Sequence, residues 1–202
     1  FNPTQNINLR LSYSSGFRAP QAFDEDMHIE NVGGTVAMIE RAKNLKEEKS
    51  QSFSASADMY HRFGVFQTNF LIEGFYTRLT DVFVLGEPYD RGDGILVKTR
   101  SNGPGAKVMG LTLEGKVAYL SILQIQAGLT LQRSRYDEPH KWHDDAPAEK
   151  KIFRTPDTYG YFTATYTPVK PLSIALSGTY TGPMLVQRMD ITAENAKLGE
   201  MP

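Results

Sequence analysis

The stretch that decides the fold is residues 123–134, LQIQAGLTLQRS. Its odd positions are apolar from Leu123 to Leu131, whereas its even positions carry glutamine, glycine, threonine and serine. A helix would spread the glutamines around its circumference, but a strand places them all on one face. The stretch therefore predicts a β-strand with one apolar and one polar face.

The same period of two recurs on both sides of this stretch. Met109, Leu111 and Leu113 alternate with polar residues, as do the apolar residues of several earlier and later segments. Between residues 158 and 167 aromatics occupy both faces, so a strand is predicted there without a register. The pattern predicts seven strands, at residues 5–17, 46–60, 64–85, 95–118 (with 102–105 as a bulge), 122–136, 156–167 and 171–184.

The connections between these strands alternate in length. Short turns are predicted near residues 61–64, 119–122 and 168–171, and long segments at 17–45, 86–104 and 135–156. In an up-and-down meander all the short turns then share one rim and all the long segments share the other. This asymmetry, with alternation sustained for about ten residues, is typical of outer-membrane barrels. The predicted fold class is all-β, an antiparallel up-and-down meander that is a fragment of a transmembrane β-barrel, since seven strands cannot close antiparallel.

Aromatic residues gather near the predicted strand ends. They would form two girdles, although aromatics also favour strands for their own reasons. One-sided alternation does not distinguish a lipid-facing surface from a soluble core, so a soluble β-sandwich binding or adhesion module, or a lipocalin-like barrel, stays an alternative. The predicted girdle residues are Tyr60, Phe63, Phe66, Tyr119 and Tyr166 beside the short turns, and Phe83, Tyr136, Tyr159 and Tyr180 toward the long segments.

Composition and motifs exclude several function classes. A net charge of -1 gives no reason to expect a nucleic-acid partner, and no apolar run is long enough for a helical membrane span. The absence of cysteine excludes disulfides, cysteine-ligated metals and a thiol nucleophile. No P-loop, nucleophile elbow, metalloprotease helix or serine triad is recognisable, so neither an enzyme nor a cofactor is predicted. A hydrolytic barrel using the carboxylates and histidines of residues 140–145 is the enzymatic alternative.

One string of residues carries a family resemblance. The sequence GFRAP at 16–20, followed by Phe23, Asp24 and Glu25, resembles the barrel of TonB-dependent outer-membrane receptors. Further stretches in the same order resemble it as well, and together they cover about 180 residues. These are NLKEE at 44–48, FYTR at 75–78 with Asp81, the pattern N-G-x-x-A-x-x-x-G-x-x-x-E at 102–114, and RTP at 154–156.

The resemblance implies energised nutrient import across the bacterial outer membrane. The implied cargo is a ferric siderophore, haem or cobalamin, or in some members a glycan. The implied partners are outer-membrane lipid, the small nutrient ligand and the TonB complex, the last through an N-terminal plug region that this sequence does not show. Because the family's barrel has about 22 strands, residues 1–184 are interpreted as part of its later half, and residues 185–202 as an unassigned loop or tail.

Candidate ligand contacts follow from the polar face and the long segments. Polar side chains such as Arg10, Glu73 and Glu114 are expected to keep the lumen wet, together with Gln67, Asn69, Gln124 and Gln126. The external segments supply the ligand-binding candidates, which are Arg18, Gln21, Asp24, Glu25, His28, Tyr89, Arg91, His140, Trp142 and His143.

Three features of these segments have competing interpretations. The acidic cluster of Asp24, Glu25, Asp26 and His28 offers hard oxygen ligands for Ca²⁺ or a surface for a cationic ligand, but a solvated loop is the favoured interpretation. His140 and His143 lie beside carboxylates and could contact a transition metal or haem. The tripeptide Arg91-Gly92-Asp93 matches a cell-adhesion motif, yet its glycine-rich setting favours a turn. No metal site is predicted.

Overall fold

The structure, a computed structural model, describes residues 1–20, 37–86, 89–93, 95–141, 147–189 and 196–201. Within these ranges the chain forms fourteen β-strands and no helix, as the all-β prediction requires. None of the described residues belongs to a helix able to cross a membrane. The strands are β1 (Ile7–Arg18), β2 (Ala37–Arg41), β3 (Glu48–Phe63), β4 (Phe66–Thr80), β5 (Phe83–Leu85), β6 (Tyr89–Asp90), β7 (Leu96–Asn102), β8 (Ala106–Tyr119), β9 (Leu123–His140), β10 (Glu149–Lys151), β11 (Thr158–Val169), β12 (Leu172–Thr181), β13 (Met184–Met189) and β14 (Ala196–Met201).

The main sheet is the predicted antiparallel meander. Seven strands pair with their neighbours in the order β1-β3-β4-β8-β9-β11-β12, and the short strand β10 pairs with β9. Each of these pairings is antiparallel. Among the described residues β1 and β12 each have one partner in this sheet, so the sheet is open there.

Two predicted strands are not single strands. The predicted strand at 64–85 leaves the sheet at Thr80, and the one at 95–118 divides into β7 and β8. Asp81 has a φ of 55°, which turns the chain out of the sheet. At Gly105 a Cβ atom would lie 2.9 Å from the Leu79 carbonyl oxygen, so the chain re-enters at a point with no room for a side chain. The bulge interpretation of residues 102–105 is therefore wrong.

The residues released from these strands build a second, small sheet. Strand β7 pairs in parallel with β2 and antiparallel with β5 and β6. All four strands lie in the two long connections that precede β3 and β8. This small sheet is defined below as the rim sheet.

The short turns occur where they were predicted. Gly64, with a φ of 60°, opens the turn between β3 and β4, and Leu120, with a φ of 49°, opens the turn between β8 and β9. Lys170 and Pro171 join β11 to β12. The meander places all three turns at one end of the sheet and the long connections at the other.

Strand register sorts the side chains of the main sheet into two faces, because directly opposed residues point to the same side. On the first face Leu111 lies opposite both Gly74 and Leu131. On the second face Thr112 lies opposite both Glu73 and Thr130. We call these the apolar face and the polar face, and they extend across all seven strands as the alternation predicts.

The register also settles the strand whose faces the sequence left open. In β11 Tyr161 lies opposite Gly128 on the polar face, whereas Phe162 lies opposite Ala127 on the apolar face. Gly128 leaves room for the Tyr161 ring, since a Cβ atom at Gly128 would lie 2.5 Å from a ring carbon of Tyr161 as it is placed.

The apolar face is not covered by protein. Leu11 is 87% exposed, Leu131 46% and Leu176 63%, and among the described residues only Val97 and Ala106 are buried hydrophobics. The total accessible surface is 14,074 Å², whereas a compact folded monomer of 22.6 kDa exposes about 9,500 Å². A soluble β-sandwich buries such a face in its core, so the structure does not support that alternative.

Aromatic side chains confirm one girdle and correct the other. Phe63, Phe66 and Tyr119 lie in contact on the apolar face beside the short turns, with ring centroids 6.4 and 5.0 Å apart, and Tyr166 joins their row. Tyr60, Tyr136 and Tyr159 are on the polar face and Phe83 is in the rim sheet, so these four girdle assignments are wrong. At the far end the predicted Tyr180 is on the apolar face, opposite Gly160, and Tyr13, Phe53 and Tyr76 occupy the same face.

The last two strands form a hairpin of their own. Met184 of β13 lies opposite Met201 of β14, in antiparallel register. The backbone N–H of Arg154 donates to the Leu185 carbonyl at 2.8 Å, which ties this hairpin to the connection before β11. The division of the chain at residue 184 stays a prediction.

Candidate functional site

The polar face carries a hydrogen-bonded cluster near the short-turn end. The Asp58 carboxylate, only 7% exposed, accepts hydrogen bonds from the Tyr60 hydroxyl at 2.8 Å, from Arg10 Nη2 at 3.4 Å and from Asn69 Nδ2. Three neighbouring strands supply these four residues. An ionised carboxylate with three donors is held in one position, so the cluster fixes the polar face at this end.

Further polar pairs continue across the same face. The hydroxyls of Ser52 and Thr77 lie 2.9 Å apart, and those of Thr112 and Thr130 lie 3.0 Å apart. Gln126 Nε2 donates to the Tyr161 hydroxyl at 2.8 Å. These pairs make a continuous hydrophilic surface along the sheet. The register places every residue predicted to line the lumen on this face, namely Arg10, Gln67, Asn69, Glu73, Glu114, Gln124 and Gln126.

The rim sheet is fastened to the long-connection end of the main sheet. Asn102 Nδ2 donates to the carbonyl oxygens of Lys46 and Asp81 at 3.0 and 2.8 Å, and Asn102 Oδ1 accepts from the Lys46 backbone N–H at 2.8 Å. The Phe83 backbone N–H donates to Glu48 Oε2 at 2.9 Å. These bonds hold the external connections at a defined place over the sheet.

Two predicted ligand residues, Arg18 and Tyr89, are associated with the rim sheet. Arg18 ends β1, and its guanidinium carbon lies 5.4 Å from the centre of the Phe83 ring, within cation–π range. Tyr89 begins β6 and is 46% exposed. The structure thus gives the rim an exposed cation and an exposed phenol.

The predicted residue Arg91 belongs to a tight turn. Arg91 Nη2 lies 2.6 Å from Asp93 Oδ2, and Arg91 Nη1 lies 3.5 Å from Glu40 Oε1 of β2. Gly92 has a φ of 99° and its N–H donates to Asp90 Oδ1 at 2.7 Å. The hydrogen bond from Arg91 lowers the pKa of the Asp93 carboxyl below its usual range. The tripeptide at 91–93 therefore forms a turn, with its arginine and aspartate engaged with each other.

His140 lies apart from these residues, at the end of β9 in the main sheet. It is opposite Glu149 of β10, half-buried, with its ring 5.8 Å from that of Tyr136. In the described part of the chain no group of three or more histidine, aspartate or glutamate residues is arranged to hold a metal ion. The remaining candidates lie outside the described residues, and these are Gln21, Asp24, Glu25, His28, Trp142 and His143.

Sequence reasoning missed the residues that assemble the rim. Glu40 belongs to no motif, and Glu48 ends the family-like stretch at 44–48 without any sign of its partner, which is distant in the chain like that of Glu40. Asn102 was visible as part of the family pattern, yet two of its three side-chain bonds join it to Lys46, 56 residues away, and the third joins it to Asp81. Only pairing between strands shows such contacts.

Comparison with known proteins assigns this architecture to a class. A polar face, an exposed apolar face and one rim of long connections define the wall of a transmembrane β-barrel. The family model described as TonB dependent receptor-like, beta-barrel matches residues 1–196. The chain belongs to this family. Its place is therefore the bacterial outer membrane, and its class is that of receptors and not enzymes.

Solved structures agree with this fold. The FrpB iron transporter from Neisseria meningitidis, F5-1 variant, is 19% identical to this chain, with a TM-score of 0.61. The superposition covers 99% of this chain and 30% of the transporter. The F3-3 variant is 16% identical with a TM-score of 0.60, and the superposition covers 92% of this chain and 26% of that transporter. The chain thus spans less than a third of the length of these proteins. No curated protein matches it.

Proposed function

We propose that the chain forms part of the wall and external rim of an outer-membrane receptor that imports a scarce small nutrient with energy from the TonB complex. The observation that carries this proposal is the two-faced sheet, in which the polar face would line the passage and the apolar face would contact lipid. Residues 1–184 supply wall and rim under this proposal. Contact with TonB is expected through a plug segment of the full-length protein.

The cargo we infer contains chelated iron. The three similar structures are all named as iron transporters, which favours a ferric siderophore or haem over cobalamin. The chemistry of the rim supports an anionic, partly planar ligand. Arg18 would bind the carboxylate or other anionic oxygens of the ligand, and Arg91 would do so by exchanging Asp93 for the ligand. The exposed phenol of Tyr89 would stack on a flat ring.

Growth tests distinguish the cargo classes. Deleting the gene for the full-length protein should abolish growth on one limiting source among ferric siderophores, haem and cobalamin, with glycans as a further arm. The wild-type gene should restore growth, but not in a strain that lacks TonB. Unchanged growth of the deletion strain on every source contradicts import.

The rim is tested by binding measurements on the full-length protein. Tyr89→Ala with Arg91→Ala should weaken binding of the cargo by about tenfold or more, because both side chains would contact it. His140→Ala tests the second group of candidates separately. Lys170→Ala, in a turn at the opposite end, is the matched control and should bind as wild type. Equal affinity of the rim variant and the control would remove Tyr89 and Arg91 from the site.

A further inference from the structure

One face of the rim sheet carries two exposed side chains on either side of a buried one. The register places Met38 of β2 and Tyr89 of β6 opposite Val97 of β7, one from each side. Directly opposed residues point to the same side of a sheet, so the three form a row, which we call the Val97 row. Met38 is 44% exposed and Tyr89 46%, whereas Val97 is 0% exposed. Glu40 shares this face, since it lies two residues beyond Met38 in the same strand.

The spacing of the Val97 row fits a flat ring. Neighbouring strands lie about 4.8 Å apart, so the backbones at Met38 and Tyr89, on either side of β7, are separated by about 9–10 Å. A ring that contacts one side chain on each of its two faces, at about 3.5–4.0 Å, needs about 7–8 Å between them. Met38 and Tyr89 therefore leave room for one ring between their side chains, with Val97 beneath its edge.

The Arg91 side chain lies across the centre of this row. Arg91 is on the β6 side of β7, where its backbone N–H donates to the Ile95 carbonyl at 3.2 Å. Glu40, whose Oε1 lies 3.5 Å from Arg91 Nη1, is in β2 on the other side of β7 and is paired with Thr99. To reach Glu40 the Arg91 side chain crosses β7 between Ile95 and Thr99, which is where Val97 lies. The guanidinium thus covers the floor of the row.

Two carboxylates hold the guanidinium in this position. Asp93 Oδ2 lies 2.6 Å from Arg91 Nη2, and Glu40 is the more distant partner. The Arg91 side chain is still 41% exposed, so an anion from solution can reach it. A ligand anion that replaces both carboxylates would end the contact across β7 and uncover Val97.

We propose that the Val97 row binds a flat ring of the cargo between Met38 and Tyr89, and that Glu40 sets the affinity by competing with the ligand anion for Arg91. The inference rests on the proposed import function and adds Met38 and Val97 to the cargo contacts. The ligand that it specifies is an anionic iron chelate built on flat aromatic rings. The Met38 sulfur and the Tyr89 ring favour an aromatic partner over an aliphatic one.

The covering role of Arg91 is tested without a ligand. Val97→Cys introduces one thiol into a full-length protein that is otherwise free of cysteine, as these 202 residues are. A water-soluble maleimide should label this thiol severalfold faster once Arg91→Ala is added. Val84→Cys, in β5 opposite Ser101, is the control and should react at the same rate with and without Arg91. Equal rates for Val97→Cys in the two backgrounds overturn the proposal.

The ring slot is tested by binding of named iron chelates to the full-length protein in detergent. Ferric catecholate and haemin carry flat rings, whereas ferric citrate is an anionic chelate without one. Met38→Ala should weaken binding of a ringed probe by about threefold to tenfold and should not weaken that of ferric citrate. Met109→Ala removes a methionine that is exposed to the same degree on the apolar face of the main sheet, and it should bind as wild type.

Glu40→Gln should act in the opposite direction. It removes a carboxylate that competes for Arg91, so a ringed anionic probe should bind about threefold or more tightly. Glu47→Gln removes the same charge from an equally exposed carboxylate, which is paired with Lys49, and it should bind as wild type. A merely structural role of Glu40 would not produce a gain in affinity.

The heat-dependent shift of each variant on a gel checks its folding. A loss in Met38→Ala no larger than in Met109→Ala, or equal for ringed and ringless probes, overturns the slot, and so does a wild-type protein that binds neither ringed probe. Unchanged or weaker binding by Glu40→Gln overturns the competition. Binding of ferric citrate alone would remove the slot and leave import of an iron chelate intact, and the growth tests decide import separately.

Discussion

At the scale of single residues, Asp58 organises the polar face near the short turns. Substituting alanine leaves the Asn69 amide, the Tyr60 hydroxyl and the Arg10 guanidinium without their shared acceptor. Asp58→Ala in the full-length protein should lower the unfolding free energy by about 1–3 kcal/mol. Ser56→Ala, on the same face and strand, is the control with little expected effect. Urea unfolding followed by gel shift measures both, and equal stability of the two variants contradicts the role given to Asp58.

A pH prediction applies to the turn at Arg91-Gly92-Asp93. The pKa of Asp93 is lowered, first by its hydrogen bond with Arg91. A lowered pKa in the folded state means that the pairing is complete above the ordinary aspartate value and is lost only as pH falls through the lower one. The turn should therefore still be closed at pH 3.8, the usual aspartate pKa, and should open only at a lower pH. Infrared titration of the Asp93 carboxylate checks this, and protonation at or above 3.8 contradicts it.

Side-chain parity explains which single-residue predictions succeeded. Residues assigned to the polar face by alternation, such as Glu73 and Gln126, are found there. Tyr60 and Tyr136 were assigned to girdles from their place along a strand, although their even positions match the polar residues of the same strands. Arg133 continues the odd-numbered series of β9, and it lies opposite Met109 on the apolar face as its odd position indicates.

At the scale of elements, each strand of the main sheet should tolerate charge on one face only. Ala57 lies in mid-strand on the apolar face, and Ser56, its neighbour, lies on the polar face. Ala57→Arg should destabilise the protein in lipid by about 2–4 kcal/mol, whereas Ser56→Arg should cost far less. Refolding into liposomes measures the difference. A similar loss for both substitutions contradicts the assignment of the faces.

The predicted strands are correct where a strand stays within the main sheet, and they are wrong where the chain passes from the main sheet to the rim sheet. Apolar residues continue past Thr80 and before Ala106, so the sequence pattern extends both strands too far. The chain pairs instead within the rim sheet, where β7 lies between β2 and β5, and the Asn102 bonds to Lys46 and Asp81 anchor the end of β7. Which sheet a strand joins depends on partner strands far along the chain, and the alternation within one segment gives no information about those partners.

At the scale of the whole molecule, the apolar face and the unpaired edges govern solubility. Within the described structure β1 and β12 each expose one edge, and the apolar face is uncovered. The 202-residue chain expressed alone should therefore aggregate in water and stay dispersed in detergent. Size-exclusion chromatography with and without detergent makes the comparison. A cooperative, soluble monomer in water contradicts the account.

The overall architecture was predictable because it depends on two repeating features. Alternation gave the strands, and the contrast between short and long connections gave the meander and its two rims. The rim sheet and the position of His140 apart from it were not predictable, since no period governs the long connections. The cargo-binding residues were not predictable from periodicity for the same reason, since the long connections would supply them.

The most direct test of the central claim is cysteine accessibility along β9. The chain contains no cysteine, so single cysteines at residues 123–132 can be introduced into the full-length protein in outer membranes. A lipid-soluble reagent should label the odd positions, and a water-soluble reagent should label the even ones, in strict alternation. Odd positions that resist both reagents, or labelling without alternation, would contradict a sheet with one face in lipid and the other toward water.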